Sequence, residues 1–442
     1  MARTEDLERT LRRIGPTRGR DLVRLLDISP ATLSRTVRAA GPRVCRMGRT
    51  RGATYALRRS IQGLSPRVPV LHIGRDGAIE QAGELSPLEP GAHWFEDVGG
   101  HGVRYEGTPP FVADMQPQGY LGAAFARWHP DLALPARLQD WNDDHRLIAL
   151  ARRGEDALGN LVLGDESLQR LWAQRQAGIE PVVDDSYPQL AREVADRPAG
   201  SSVGGEAPKF LAFSAARTAH VLVKFTSGTG DEADRRWRDL LAAEAIALET
   251  LADHSCDVPV WRILDRGGRR FLELERYDRC GAHGRIGVLS LAALDAEYVG
   301  AGSGWSRVVG ELAEQGLVAE ADAARIRWLD AFGELIGNTD RHLGNISFYA
   351  ESPAMPIKGL ALAPAYDMLP MTFAPAEGRT RPSAFNPRAP AAGGFDTWLS
   401  AAQVAADYWQ RVATSARATA PFRDIAVRAG ETLESVREQI RR

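Results

Sequence analysis

The sequence predicts an α+β chain: a small helical module closed by a hairpin, then a two-lobed body whose C-terminal lobe is mostly helical. Three observations predict it. Residues 1–60 carry 15 Arg against five acids (Glu5, Asp6, Glu8, Asp21, Asp27), a surplus of +10 in a chain whose net charge is −2. A glycine-rich stretch at 199–206 precedes two short apolar strands and a long helix. The polar run Asn338-Thr339-Asp340-Arg341-His342-Leu343-Gly344-Asn345 lies between an amphipathic helix and a β-like run, where a rigid scaffold usually holds reactive groups.

With 442 residues the chain has room for two to four domains. Hydrophobic content of 44% and charged content of 25% fit a globular protein and exclude a disordered chain. No apolar run approaches the ~20 residues of a membrane span. The N-terminal Met-Ala-Arg-Thr-Glu-Asp offers no apolar segment for a secretion signal. Cys45, Cys256 and Cys280 are odd in number and lack metal or disulfide spacing. A reducing cytoplasm is the expected setting. Beyond residue 60 acids outnumber bases, 52 to 40. The split predicts a basic module for a polyanion joined to an acidic body.

In chain order, residues 1–60 read as a winged helix-turn-helix. The first helix is expected over 5–14, with Leu7, Leu11 and Ile14 on one face, and Pro16-Thr17 breaks it. The second runs over 19–26. Ser29-Pro30 caps a third helix that Gly41-Pro42 ends. Leu33 and Val37 face its core. Thr32, Ser34, Arg35 and Arg38 face outward, as on a recognition helix in a major groove. A hairpin over 43–57 forms a wing with Arg49 and Arg51 at its tip, placed for phosphate contact. Double-stranded DNA is the expected partner. A docking module with a solvated arginine surface is the other reading.

Residues 61–69 read as a linker. Around Arg75-Asp76-Gly77 the pattern is a hairpin. Residues 91–118 form a loop-rich, strand-containing part, helices are expected over 120–128 and 138–152, and a strand over 160–163. Asp143-Asp144-His145 reads as surface rather than as a metal site.

Next comes the glycine-rich stretch with Ser202, Gly204 and Gly205, followed by Lys209. Such backbone can approach phosphate, and a lysine can meet its charge; a plain turn would look the same. A strand over 210–213 leads to His220-Val221-Leu222-Val223-Lys224-Phe225, where Lys224 alternates with apolar neighbours. In protein kinases a strand lysine in this position meets nucleotide phosphates and pairs with a helix glutamate. Glu244, on a helix over 232–251, is the candidate. Residues 271–279 read as a strand entering a polar turn, where Glu275, Tyr277 or the backbone would face adenine.

Residues 286–337 read as helices with glycine-containing turns, the last of them over 321–337. Asp340 and Asn345 stand five residues apart, the spacing of the kinase catalytic loop. There an aspartate accepts the substrate hydroxyl proton and an asparagine holds magnesium. Asp367 follows about twenty residues on, beyond a strand within 357–365, where a kinase places its metal-binding aspartate. Two carboxylates and one amide are what phosphoryl transfer needs, although a capped turn also uses Asp and Asn. Residues 375–394 read as an exposed loop. The tail, 395–442, reads as helices with Trp398, Tyr408, Trp409 and Val436 in the core.

In the same order, Ser-Ser-Val-Gly-Gly-Glu-Ala-Pro-Lys, Val-Leu-Val-Lys, Leu-Glu-Arg-Tyr-Asp-Arg, Gly-Asn-Thr-Asp-Arg-His-Leu-Gly-Asn and Ala-Tyr-Asp-Met-Leu-Pro resemble signatures of the HipA family of serine/threonine kinase toxins. The fused front module is most similar to its HipH (YjjJ) branch. The resemblance implies a HipA N-terminal subdomain over 70–180 and a two-lobed, kinase-like ATP-binding and catalytic domain over 181–442. It implies ATP and Mg²⁺, with Asp340 as catalytic base, Asn345 and Asp367 as metal ligands, and Lys224 and Lys209 near the phosphates. His342 would support the catalytic loop. Ser202 sits at the autophosphorylation position. Glu206 and Ala207 depart from the family, which often has an uncharged residue and then Arg or Gln there. Protein substrates in the family include aminoacyl-tRNA synthetases. Oligomeric state is left open, a dimer included. Three other functions stay open: a transcriptional regulator with a non-catalytic kinase fold, a magnesium-dependent nuclease and a small-molecule kinase.

Overall fold

A computed structural model describes residues 2–48, 52–196, 207–351, 357, 359–376, 378–380, 383–390 and 394–441. The expected wing-tip residues Arg49 and Arg51, and the glycine-stretch residues Ser202, Gly204, Gly205 and Glu206, lie outside this set. The chain divides into two compact units, one of 1–116 with 130–178 and the other of 117–129 with 179–442. No helix among the described residues is long and apolar enough to cross a membrane.

The first unit opens with α1 (Ala2–Ile14), β1 (Thr17–Arg18), α2 (Gly19–Leu25) and α3 (Pro30–Ala40), then β2 (Val44–Met47) and β3 (Thr54–Leu57). The strands form a small antiparallel sheet in the order β1-β3-β2. Leu7, Leu11, Leu22, Leu33, Ala40, Val44 and Leu57 make the core between helices and sheet. Ser29 caps α3 by accepting the Thr32 N–H at 3.1 Å. Ser34, Arg35 and Arg38 are exposed. Thr32 differs from expectation, because its hydroxyl lies 2.9 Å from Ser29 Oγ and is taken up by the cap.

A five-stranded antiparallel sheet follows in the order β7-β6-β5-β4-β8, from β4 (Val68–Ile73), β5 (Ile79–Pro87), β6 (His93–Asp97), β7 (Gly102–Tyr105) and β8 (Leu161–Leu163). Next to it run α4 (Pro110–Met115), α6 (Asp143–Arg153) and α7 (Asp165–Ala177); α5 (Gly119–Trp128), which intervenes in the chain, belongs to the second unit. Asp143-Asp144-His145 opens α6, with Asn142 and His145 capping each other's backbone. The expected linker is not a free tether. Ile61 and Val68 are buried, and Cys45, Met47 and Ala56 share a core with Leu88 and Ala92. The front module and the turn between β5 and β6 therefore share one apolar core.

The second unit contains α8 (Tyr187–Asp196) and a four-stranded antiparallel sheet, β11-β12-β10-β9. Its strands are β9 (Lys209–Ser214), β10 (Ala219–Phe225), β11 (Trp261–Arg266) and β12 (Arg269–Glu275), with the long helix α9 (Glu232–Asp253) between β10 and β11. On one face Tyr187, Phe210, Val223, Phe225 and Phe271 pack together. On the other, Leu241, Ala245 and Leu248 of α9 pack on Leu272 and Leu274. Arg262 ties the buried Glu273 to Asp184, donating to both at 2.6 Å.

The helical part begins after β13 (Arg279–Cys280), β14 (Gly284–Arg285) and β15 (Val288–Ser290). It comprises α10 (Leu291–Leu294), α11 (Trp305–Glu314), α12 (Glu320–Leu335), β16 (Ser347–Tyr349), β17 (Ala361–Leu362), α13 (Phe395–Thr414) and α14 (Ala420–Arg441). The strand expected before Asp367 shortens to Ala361–Leu362, because β17 pairs only with the end of β16. Trp398, Tyr408 and Trp409 are buried, and Trp409 Nε1 donates to Leu335 O at 3.0 Å, fixing α13 to α12. Val436 is half-buried, and Leu433 and Arg437 hold the core positions of α14 instead. Asp239 of α9 accepts the Thr419 N–H at 2.7 Å, binding the sheet's helix to the start of α14.

Candidate functional site

The site is built on β9, β10, α9 and the two loops that end α12 and β17. Lys224 and Lys209 stand directly opposite one another on β10 and β9. Like charges so placed destabilise a sheet, so anions must gather near them. Lys224 Nζ donates to Glu244 Oε1 of α9 at 2.6 Å and also to Asp367 Oδ1. Lys224 and Glu244 are buried. Burial alone would lower the Lys224 ammonium, but Asp367 and Glu244 more than offset it and raise it. Burial alone would raise Asp367; Lys224, Lys209 and His342 hold it at about 2. Burial wins at Glu244, whose carboxyl is raised.

Asn338 joins the two loops. Its Oδ1 accepts the Asp340 N–H at 3.0 Å, and its Nδ2 donates to Asp367 O at 3.0 Å. Asn345 Nδ2 donates to Asp340 O at 2.8 Å. His342 is exposed, and its Nδ1 accepts the Gly344 N–H at 3.1 Å while its carbonyl accepts from Trp305 Nε1 at 2.8 Å. Arg341 donates to Asp330 Oδ1 at 3.1 Å, to Glu334 Oε2 at 3.3 Å and to the Asn338 carbonyl. Asp367 has a φ of 55°, a left-handed conformation that aspartate tolerates better than most residues.

Together these groups line a cavity of about 180 Å³: Lys209, Lys224, Glu244, Asp340, His342, Asn345 and Asp367, with Ala207, Trp237, Gln118 and Gly119. Among the described residues no group of three or more His, Cys, Asp or Glu side chains forms a metal cage. The donor set still suits magnesium. Asn345 uses its amide nitrogen on Asp340, leaving its carbonyl oxygen, and Asp367 gives one oxygen to Lys224, leaving the second. Magnesium takes one or two such oxygens and completes its shell with water and phosphate.

Glu275 and Tyr277 are not brought to this cavity. Glu275 ends β12, with its N–H donating to Val260 O at 2.8 Å. Tyr277 gives its hydroxyl to Ser347 Oγ at 3.2 Å and stacks on Tyr366, ring centroids 5.6 Å apart. Burial pushes its phenol well above the ordinary range. Four contributors escape a local reading. Asn338 sits inside the recognised run, and its role needs the Asp367 loop beside it. Gln118 and Gly119 come from the far half of the chain, with no motif to mark them. Tyr366 is marked only by adjacency to Asp367; its hydroxyl donates to Gly344 O at 2.7 Å. Tyr366→Phe should strip that support from beneath Asn345 and cost about 1–3 kcal/mol, read as a lower urea midpoint.

Residues 64–172 match the family model of the YjjJ-like toxin, middle domain, and residues 201–440 that of the HipA-like C-terminal domain. Toxin YjjJ of Escherichia coli (strain K12) is 35% identical over 441 residues, spanning 97% of each chain. The chain belongs to the HipA/YjjJ toxin family. Its HipA-like fold is also seen in a chain of the Shewanella oneidensis MR-1 HipA, HipB and operator DNA complex. That chain matches at a TM-score of 0.53 and 15% identity, over 83% of this chain and 95% of its own. The Helicobacter pylori proinflammatory kinase CtkA matches at a TM-score of 0.36 and 12% identity, over 52% of this chain and 92% of its own.

Proposed function

We propose that this HipA/YjjJ chain is an ATP- and Mg²⁺-dependent serine/threonine protein kinase, a toxin of a toxin–antitoxin-like system that carries its own DNA-binding module. One observation supports the kinase reading above all: Lys224, bridging Glu244 and Asp367, shares a cavity with Asp340 and Asn345. Lys224 and Lys209 would meet the nucleotide phosphates, with the glycine stretch around Gly204 and Gly205 nearby. Asn345 and Asp367 would hold magnesium, which neutralises charge on the phosphates. Asp340 would take the proton of a Ser or Thr hydroxyl as its oxygen bonds the γ-phosphorus. The bond from that phosphorus to the β-phosphate oxygen breaks, and ADP leaves. His342 would hold the loop through Gly344, and Ser202 would be the autophosphorylation site.

The test is mass spectrometry of the purified protein after incubation with ATP and Mg²⁺. Phosphate on Ser202 supports the reading, and so does phosphate on an added aminoacyl-tRNA synthetase. Duplex binding with no phosphate gained anywhere would sink it in favour of a sensor with a kinase fold.

Residues 1–60 are, in this reading, a winged helix-turn-helix for double-stranded DNA. Support comes from the +10 surplus and from the exposed Ser34, Arg35 and Arg38 on one face of α3. The Shewanella complex holds operator DNA. Deleting the module would bare the core that Cys45, Met47 and Ala56 share with Leu88 and Ala92, so point variants test it better. Arg35→Ala and Arg38→Ala should each weaken duplex binding and lower the slope of log affinity against log salt by about one. Fluorescence anisotropy across a salt series reads both. An unchanged slope in both variants would remove α3 from the interface.

A further inference from the structure

Asp340 and His342 line a second cavity as well as the one beside Lys224. This second space, about 680 Å³, runs from Asp340 past Thr372 and Phe385 to Arg388. A third, about 690 Å³, shares Phe385 with it and continues along α14 to Arg428. The second hollow shares Asp340 and His342 with the first and Ala384 and Phe385 with the third, so the second and third are neighbours and make up one trough.

Four carboxylates (Asp330, Glu334, Asp340 and Glu232) and four guanidiniums (Arg341, Arg388, Arg236 and Arg428) line this trough, and they are not all paired with one another. Asp330 and Glu334, on the wall of the second hollow, are both held by Arg341. In the third, Glu232 accepts the Thr380 hydroxyl, and Arg236 donates to Phe373 O at 3.1 Å. Arg388 and Arg428 are exposed, and neither guanidinium has a hydrogen bond or ion pair among the described residues. Arg388 lines the second hollow and Arg428 the third, Phe385 lines both, and Asp340 is the carboxylate that the first and second hollows share.

We infer that this trough receives the phosphate acceptor as an extended polypeptide segment with acidic residues beside its Ser or Thr. The hydroxyl lies at Asp340, an apolar side chain covers Phe385, and carboxylates reach Arg388 and Arg428. Guanidinium forks suit carboxylates, which they grip with paired hydrogen bonds. The inference rests on the kinase reading and adds the acceptor's chemistry.

The experiment uses the full-length protein, Mg²⁺ and labelled ATP, with synthetic Ser peptides whose flanks are glutamate, alanine or lysine. Glutamate-flanked peptides should be labelled with the lowest KM. Arg388→Glu and Arg428→Glu should each raise that KM at least tenfold and improve the lysine-flanked peptide. Anisotropy of a fluorescein-tagged glutamate-flanked peptide, read without ATP, should weaken in parallel. Equal KM for all three flanks, or charge reversal without effect, overturns the acidic acceptor. Calorimetry of the parent protein with Mg²⁺ and ATP separates the two readings. A parent that binds nucleotide but ignores the flanks loses only this inference. A parent that binds no nucleotide loses the kinase reading and this one with it.

Discussion

Asp340→Asn is expected to cut phosphate transfer by about 10²–10⁴-fold while keeping the main-chain bonds of the loop that carries it. Two hydrogen bonds that help place residue 340 are made by its main chain. Its N–H donates to Asn338 Oδ1 and its carbonyl accepts from Asn345 Nδ2, and both survive the exchange. What is lost is a carboxylate, able to accept a proton, that lines both the cavity beside Lys224 and the hollow beyond it. Affinity for ATP with Mg²⁺, measured by calorimetry, should change little, because Lys224, Asn345 and Asp367 are untouched. Combining Asp340→Asn with Asp367→Asn should cost far less than the two losses multiplied, since groups that act as a unit are not additive. Label entering the Asp340→Asn protein as fast as the parent would show that another group takes the proton.

How far this site can be read from sequence depends on how local its parts are. Asp340 and Asn345 lie on one loop, so their spacing carries their relation. Lys224 stands out because a lysine alternates with valine and leucine in a strand, and Glu244 because a helix follows that strand. Asp367 needs only one further short strand. The harder parts depend on contacts across long sequence separations. Gln118 and Gly119 reach the cavity from a helix whose chain neighbours belong to the other unit. Nothing in their composition marks the excursion. Glu275 and Tyr277 attract attention as polar residues at a strand end. The residue that the fold buries is Glu273, where Arg262 and Tyr187 converge. A buried acid in Phe271-Leu272-Glu273-Leu274 has the same alternation as an exposed one, and only its partners distinguish the two. The strand Trp261–Arg266 is similarly quiet. It lies at the edge of its sheet and carries charge, as edge strands often do, so its apolar pattern is weak.

The largest structural effect should come from Lys224→Met. Glu244 is fully buried and Asp367 faces it through the lysine ammonium. Without that cation two carboxylates confront one another in a poorly solvated place. Breaking a buried pair by removing one partner costs about 3–5 kcal/mol. The sign of the pH dependence makes the test specific. In the parent, Asp367 is held at about 2, below its ordinary value of about 3.9. Its stabilising effect is therefore complete above about pH 4 and is lost as pH falls through 2. In the Lys224→Met protein burial and mutual repulsion raise both carboxyls. The folded state then binds more protons than the unfolded one, so stability falls as pH climbs from about 4 towards 7. Urea midpoints at acid and neutral pH should show a deficit that widens toward neutrality. Adding Glu244→Gln should narrow it, because one of the two opposed charges is gone. A deficit equal at both pH values, or one that Glu244→Gln deepens, would mean that Lys224 is not the cation holding these two acids together.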